Sequence, residues 1–216
     1  MKNIPKINKT TPPKRIKYIL LYFFGLGLSL ASGQSDYQKA IEKHREEYKA
    51  DFIKDEKSPL TAEDLDYLHF YEAKEAYLVT CRFKATKGGE PFEIPTSSGK
   101  TKTYAKFGQL SFKINGQKHR LAAYRSLALM NHPLYKDYLF VPFKDATSGN
   151  ETYGGGRYLD LRMGEFEEGE LMLDFNKAYN PYCAFSTGYS CPIPPEENHL
   201  SIKIEAGEKN FLKDWH

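Results

Sequence analysis

From Glu75 onward the sequence breaks into short segments in which apolar and polar residues alternate, each closed by turn formers. A period of two puts successive side chains on opposite faces of an extended chain, so these segments read as strands. They span residues 76–85, 92–95, 104–114, 118–126, 138–143, 157–161, 170–175 and 200–204. Asn115-Gly116 joins two of them, and both residues tolerate the positive φ of a tight hairpin. Gly88-Gly89, Ser97-Ser98-Gly99 and Ser148-Gly149 mark further breaks. Strand follows strand with no helical pattern between them, which excludes alternating β–α units. The expected class is mainly β, an antiparallel β-sandwich or partly open barrel with N-terminal helices.

Those helices precede the strands. Over residues 36–55, Tyr37, Ile41, Tyr48 and Phe52 recur at helical spacing with His44 on the same side, giving an amphipathic helix with a charged back. A short helix over 60–65 is signalled by Thr61 as cap, Asp64 as its acidic partner, and Leu60 with Leu65 as a hydrophobic staple.

The first 33 residues differ from the rest. Lys2, Lys6, Lys9, Lys14, Arg15 and Lys17 precede the apolar stretch 19–31, and Ala31-Ser32-Gly33 follows. Basic end, short apolar segment and small residues are the order of a secretory signal, with cleavage expected before Gln34. Residues 1–33 are therefore read as a signal peptide and 34–216 as one domain. The expected location is exported, periplasmic or extracellular, with an uncleaved membrane anchor as the alternative. After cleavage no stable transmembrane span is expected.

Removing those six cations changes the electrostatics. The full chain has 31 Lys plus Arg against 28 Asp plus Glu, so the remainder has 25 against 28, near net −3. Without a basic stripe, nucleic-acid binding is excluded. The 16 Tyr and 14 Phe bring large apolar area to a core or cleft. Cys183 and Cys191 close a short loop and suit a disulfide in an oxidising compartment, whereas Cys81 lies on the strand face of Tyr77, Val79 and Phe83 as a buried apolar side chain.

Candidate chemistry concentrates between residues 140 and 199. The loop 144–158 carries Asp145, Glu151 and Arg157 around Gly154-Gly155-Gly156, where backbone can approach a ligand and Arg157 can meet a carboxylate or small anion. It has neither the spacing of a dinucleotide fingerprint nor a Gly-Lys-Ser ending. A structural alternative pairs Arg157 with Asp145 or Glu151. Asp174 and Asn176 share one strand face, with Tyr179 and Asn180 close behind; either these residues line a cleft or they hold loop amides. His199 could serve as a general base near Glu197 or Asp174, or be an ordinary strand-entrance residue. No metal-ligand spacing is present, and no cofactor is expected.

Taken in order, Phe140-Val141-Pro142-Phe143-Lys144-Asp145, Glu151-Thr152-Tyr153-Gly154-Gly155-Gly156-Arg157-Tyr158, Asp174-Phe175-Asn176-Lys177-Ala178-Tyr179-Asn180-Pro181, Cys191-Pro192-Ile193-Pro194-Pro195 and the segment 198–209 resemble the DUF1684 family, a domain of unknown function in exported prokaryotic proteins. The resemblance implies one family domain, no established reaction, and a shared signature in the glycine-rich and Asp-Phe-Asn segments. Phe107 stands where the resemblance leads one to expect tyrosine. Three functions remain open. The first is an exported enzyme acting on a polar small molecule or glycan, with Glu151, Asp174 or His199 transferring a proton. Arg157, Asp145, Asn176, Tyr179 and Asn180 would then bind the substrate. The second is a non-catalytic ligand-binding module, and the third a structural component of the cell envelope.

Overall fold

A computed structural model describes residues 34–213. The proposed signal peptide, residues 1–33, lies outside the described residues.

Among the described residues one α-helix, α1 (Asp36–Lys54), precedes the strands. Its first turn is closed by a reciprocal cap: Gln38 N donates to Ser35 Oγ at 3.1 Å and Ser35 N donates to Gln38 Oε1 at 2.9 Å. Ile41 and Phe52 of the expected apolar face are buried, and between them Arg45 lies over the Phe70 ring and donates to the Tyr71 carbonyl. The second expected helix is a 3-10 turn, Ala62–Tyr67, in which Asp64 accepts from both the amide and the hydroxyl of Thr61.

Seven strands follow: β1 (Leu78–Ala85), β2 (Pro91–Pro95), β3 (Thr101–Ile114), β4 (Gln117–Ser126), β5 (Tyr138–Phe143), β6 (Arg157–Arg162) and β7 (Glu170–Asp174). All pair antiparallel, in the order β6-β5-β4-β3-β1-β7 with β2 also on β3, and the sheet curls into a half-barrel. Asn115 and Gly116, at φ 51° and 77°, form the β3–β4 hairpin.

The period-two pattern places Leu110, Phe112, Leu121, Ala123, Leu139, Val141, Phe143, Leu159, Leu161, Leu171 and Leu173 on the inner face as the main core. The outer face carries a second, aromatic cluster of Tyr104, Tyr124, Phe140 and Tyr158. Strand β3 serves both layers because a bulge between Lys106 and Gly108 shifts its register, so that Tyr104 points outward and Leu110 inward. Gly108 is required there: a Cβ would come within 2.3 Å of the Phe83 ring and 2.7 Å of the Lys84 carbonyl. Gly108→Ala is expected to cost about 1–3 kcal/mol, measured as a lower denaturation midpoint at unchanged m-value.

Residues 200–204, expected as a strand, are not one. Leu200 and Ile202 do reach the β5 extension, through Leu200 N to Lys144 O and Ala146 N to Ile202 O. The ladder then ends because the Asp145 carboxylate, in place of a backbone carbonyl, takes the Ile204 amide at 2.7 Å. Cys183 and Cys191 are joined as a disulfide with Cα atoms 6.2 Å apart. Cys81 is free and buried, and burial pushes its thiol up to about 12, so it is chemically inert at neutral pH. No helix among the described residues is long and apolar enough to cross a membrane.

Candidate functional site

Strands β6 and β7 are consecutive in the chain and joined only by residues 163–169, yet they occupy opposite ends of the sheet. They line the same groove and are not paired with each other. Tyr158 at the start of β6 exchanges backbone hydrogen bonds of 2.9 and 3.1 Å with Tyr179, and Glu167 and Glu170 exchange a second pair in the turn that leads into β7. The groove has a volume of 1610 Å³ and is bordered on one side by α1.

Leu159, Leu161, Leu171 and Leu173 line it from the core side with their side chains buried, and Tyr48, Phe52, Phe70, Tyr179 and Tyr182 add aromatic walls. The polar groups are mostly acidic: Asp51, Asp160, Glu165, Glu167, Glu168, Glu170 and Asp174 against Arg45 and Lys177. Glu170 is offset by Arg82 at 3.1 Å and Asp51 by Lys54 at 2.9 Å, and Arg45 is occupied by Glu42 and the Tyr71 carbonyl. The remaining surplus leaves a negative potential beside the aromatic walls, which favours a cation with an apolar body.

Asp160 is the most distinctive group. Its position opposite the leucines of β6 points it into the outer aromatic layer, where Tyr138 and Tyr179 donate to the same oxygen, Oδ1, at 2.6 and 2.8 Å. Oδ2 accepts no hydrogen bond, and Asp160 is an exposed residue of the groove's lining. Protein crowds the carboxyl elsewhere. This partial loss of water raises its pKa, while the two phenols act in the opposite sense. The Tyr138 and Tyr179 hydroxyls are pushed upward by burial and by the neighbouring charge, so they remain donors. His44, on the α1 side, is shifted downward, first by burial and then by Lys177.

Of the residues singled out in the sequence, Asp174, Asn176 and Tyr179 line this groove. Asp174 Oδ1 accepts from Tyr37 Oη, Asn176 N and Asn176 Nδ2 at 2.9, 3.0 and 3.0 Å. The Asn176 amide also clamps both backbone groups of Lys74 at 3.0 Å. This node ties α1 to the end of β7.

Asn180 lies behind the groove wall. Its backbone N–H donates to Glu208 Oε2 at 2.8 Å and its amide to the Lys209 carbonyl at 2.7 Å. Tyr48, whose ring faces the groove, donates to the same Glu208 oxygen at 2.9 Å. Glu208 is fully buried, and loss of water raises its pKa to about 8.

The others lie apart from the groove. Arg157 and Asp145 are a fully buried ion pair at 3.3 Å. Arg157 also donates to the carbonyls of Ile204, Ala206 and Glu208, and Asp145 accepts from Thr147 and Ile204. Gly156, at φ +92°, gives this crossing its clearance, since a Cβ would sit 2.7 Å from both the Phe143 carbonyl and Pro194. Glu151 is held near the surface by Tyr71 and Lys203 at 2.9 and 2.8 Å. His199 bonds the Pro194 carbonyl at 3.1 Å. No hydrogen bond links Glu151, Asp174 and His199 to one another among the described residues. Nor is any group of three His, Cys, Asp or Glu side chains there placed to hold a metal.

Sequence reasoning passed over Asp160, Tyr138 and Tyr48. The available signal was local: in Tyr158-Leu159-Asp160-Leu161 a carboxylate shares a strand face with an aromatic, where it requires partners.

Comparison with known proteins agrees with this architecture. The family described as Protein of unknown function (DUF1684) matches residues 63–209. An uncharacterized protein of Haloarcula marismortui, solved by solution NMR, is similar at 33% identity with a TM-score of 0.64, over 83% of this chain and 97% of that one. No curated protein matches the chain.

Proposed function

The chain belongs to the DUF1684 family of proteins of unknown function, and from that premise we propose that it is an exported binding protein whose groove holds a small cationic ligand with an apolar body. The observation that carries this reading is Asp160: one carboxylate oxygen is fixed by two phenols, and the other carries no hydrogen bond, in a groove with acidic and aromatic side chains in its lining. Export is supported by the basic and then apolar order of residues 1–33 and by the Cys183–Cys191 disulfide. A binding role is favoured over proton transfer because Glu151, Asp174 and His199 each belong to a separate set of hydrogen bonds.

Calorimetric titration with a linear alkylamine and with the alkyl sulfate of equal chain length tests the proposal. The amine is expected to bind and to weaken as salt rises, because the attraction is screened. Asp160→Asn keeps the two phenol contacts but removes the charge, and is expected to weaken the amine at least tenfold. Equal binding of amine and sulfate, or no effect of Asp160→Asn, would sink the reading.

A further inference from the structure

The groove is bounded by strand edges, and strand edges carry backbone donors and acceptors. Tyr158 directs its N–H and C=O away from β5, to Tyr179. By the two-residue alternation of an antiparallel ladder, Asp160 turns its own N–H and C=O to that same side, into the groove. On β7, Glu170 bonds outward to Glu167, so Met172, two residues on, also turns its backbone away from β1. Asp160 and Met172 thus present two free pairs of peptide groups to one cavity.

Resting on the groove reading above, we infer that the ligand is a short peptide of apolar–basic–apolar pattern, bound extended as an added strand against β6. The free edge of β6 limits its length: at one end Tyr158 is taken by Tyr179, and at the other the Arg162 N–H is taken by the Glu165 carboxylate. From Tyr158 to Arg162 is four steps of about 3.3 Å, about 13 Å in all, which suits about three residues at roughly 3.3–3.6 Å each. A central residue that pairs with Asp160 sends its side chain to the face of the Asp160 carboxylate. That position therefore takes lysine or arginine. Its neighbours point to the opposite face, where Leu159, Leu161, Leu171 and Leu173 lie, and therefore are apolar. The acidic surplus is the charge complement of such a segment, and the free peptide groups supply strand-addition bonding.

The test compares acetyl-Leu-Lys-Leu-amide with acetyl-Lys-Leu-Lys-amide and with the first peptide N-methylated at its lysine nitrogen, each titrated into the purified protein beside the alkylamine. The first peptide is expected to bind at least tenfold more tightly than either comparator. Amide hydrogen exchange at Asp160 and Met172 should slow on its addition. Equal affinity of the N-methylated peptide, tighter binding of the Lys-Leu-Lys form, or unchanged exchange at both amides overturns the peptide assignment. If the alkylamine binds and no peptide does, the peptide assignment fails while the cationic groove stands; if neither binds, both fail.

Discussion

Arg157→Ala is expected to destabilise the protein by about 3–5 kcal/mol, because it strands the Asp145 carboxylate in a site with no access to water. It also deprives the carbonyls of Ile204, Ala206 and Glu208 of their donor. A loss that large is a sizeable part of the 5–15 kcal/mol that holds a domain folded. Urea denaturation of the wild type, Arg157→Ala and the double variant Arg157→Met/Asp145→Leu separates the causes. If the buried charge is responsible, the double variant recovers much of the loss. A single variant within 1 kcal/mol of the wild type would contradict the assignment of this pair as the anchor of residues 204–208.

The second large effect is on the pH dependence of stability. Glu208 has its folded pKa raised to about 8 from an ordinary 4.5. Between those values the folded protein keeps a proton that the unfolded chain has released. Stability therefore falls as pH rises through that window, at up to about 1.36 kcal/mol per pH unit, and levels off above it. The accumulated change is on the order of 5 kcal/mol. Glu208 Oε1 and Asn180 Oδ1 are both buried without a hydrogen-bond partner, an environment that disfavours a full charge on Glu208. Glu208→Gln carries an amide donor in its place and cannot ionise. Thermal melts from pH 5 to 8.5 are expected to show a falling melting temperature in the wild type and a much flatter profile in this variant. Parallel profiles would remove Glu208 as the source.

The strands were readable because their alternation is local: each side chain's face is decided by its immediate neighbours. Residues 200–204 alternate just as well, yet a carboxylate 55 or more positions away takes the amide that a ladder would have used. No local pattern contains that competitor. The same division holds for the groove. Asp174, Asn176 and Tyr179 stood out because they lie together on one short stretch of chain. Asp160 did not, because its importance comes from β6 and β7 failing to pair across a connection short enough for an ordinary hairpin. Only the strand order, with five strand-to-strand steps between them, reveals that they are edges. Arg157 and Asp145 drew attention as unusual charges in a glycine-rich loop; their alternative reading as a structural pair matches where they sit.

A groove framed by strand edges also has a consequence for how such proteins can diverge. The peptide groups of Asp160 and Met172 belong to the main chain, and nearly every amino acid carries the same ones. Point substitutions can therefore reset the charge of the rim at Asp160 or Glu165 without erasing the opening itself. An inserted or deleted residue within 163–169 is different, since it alters how far the two edges stand apart. Relatives with substituted rims should have inherited the same recess with new preferences, whereas a change in the length of that connection marks the point where the recess was lost or remade.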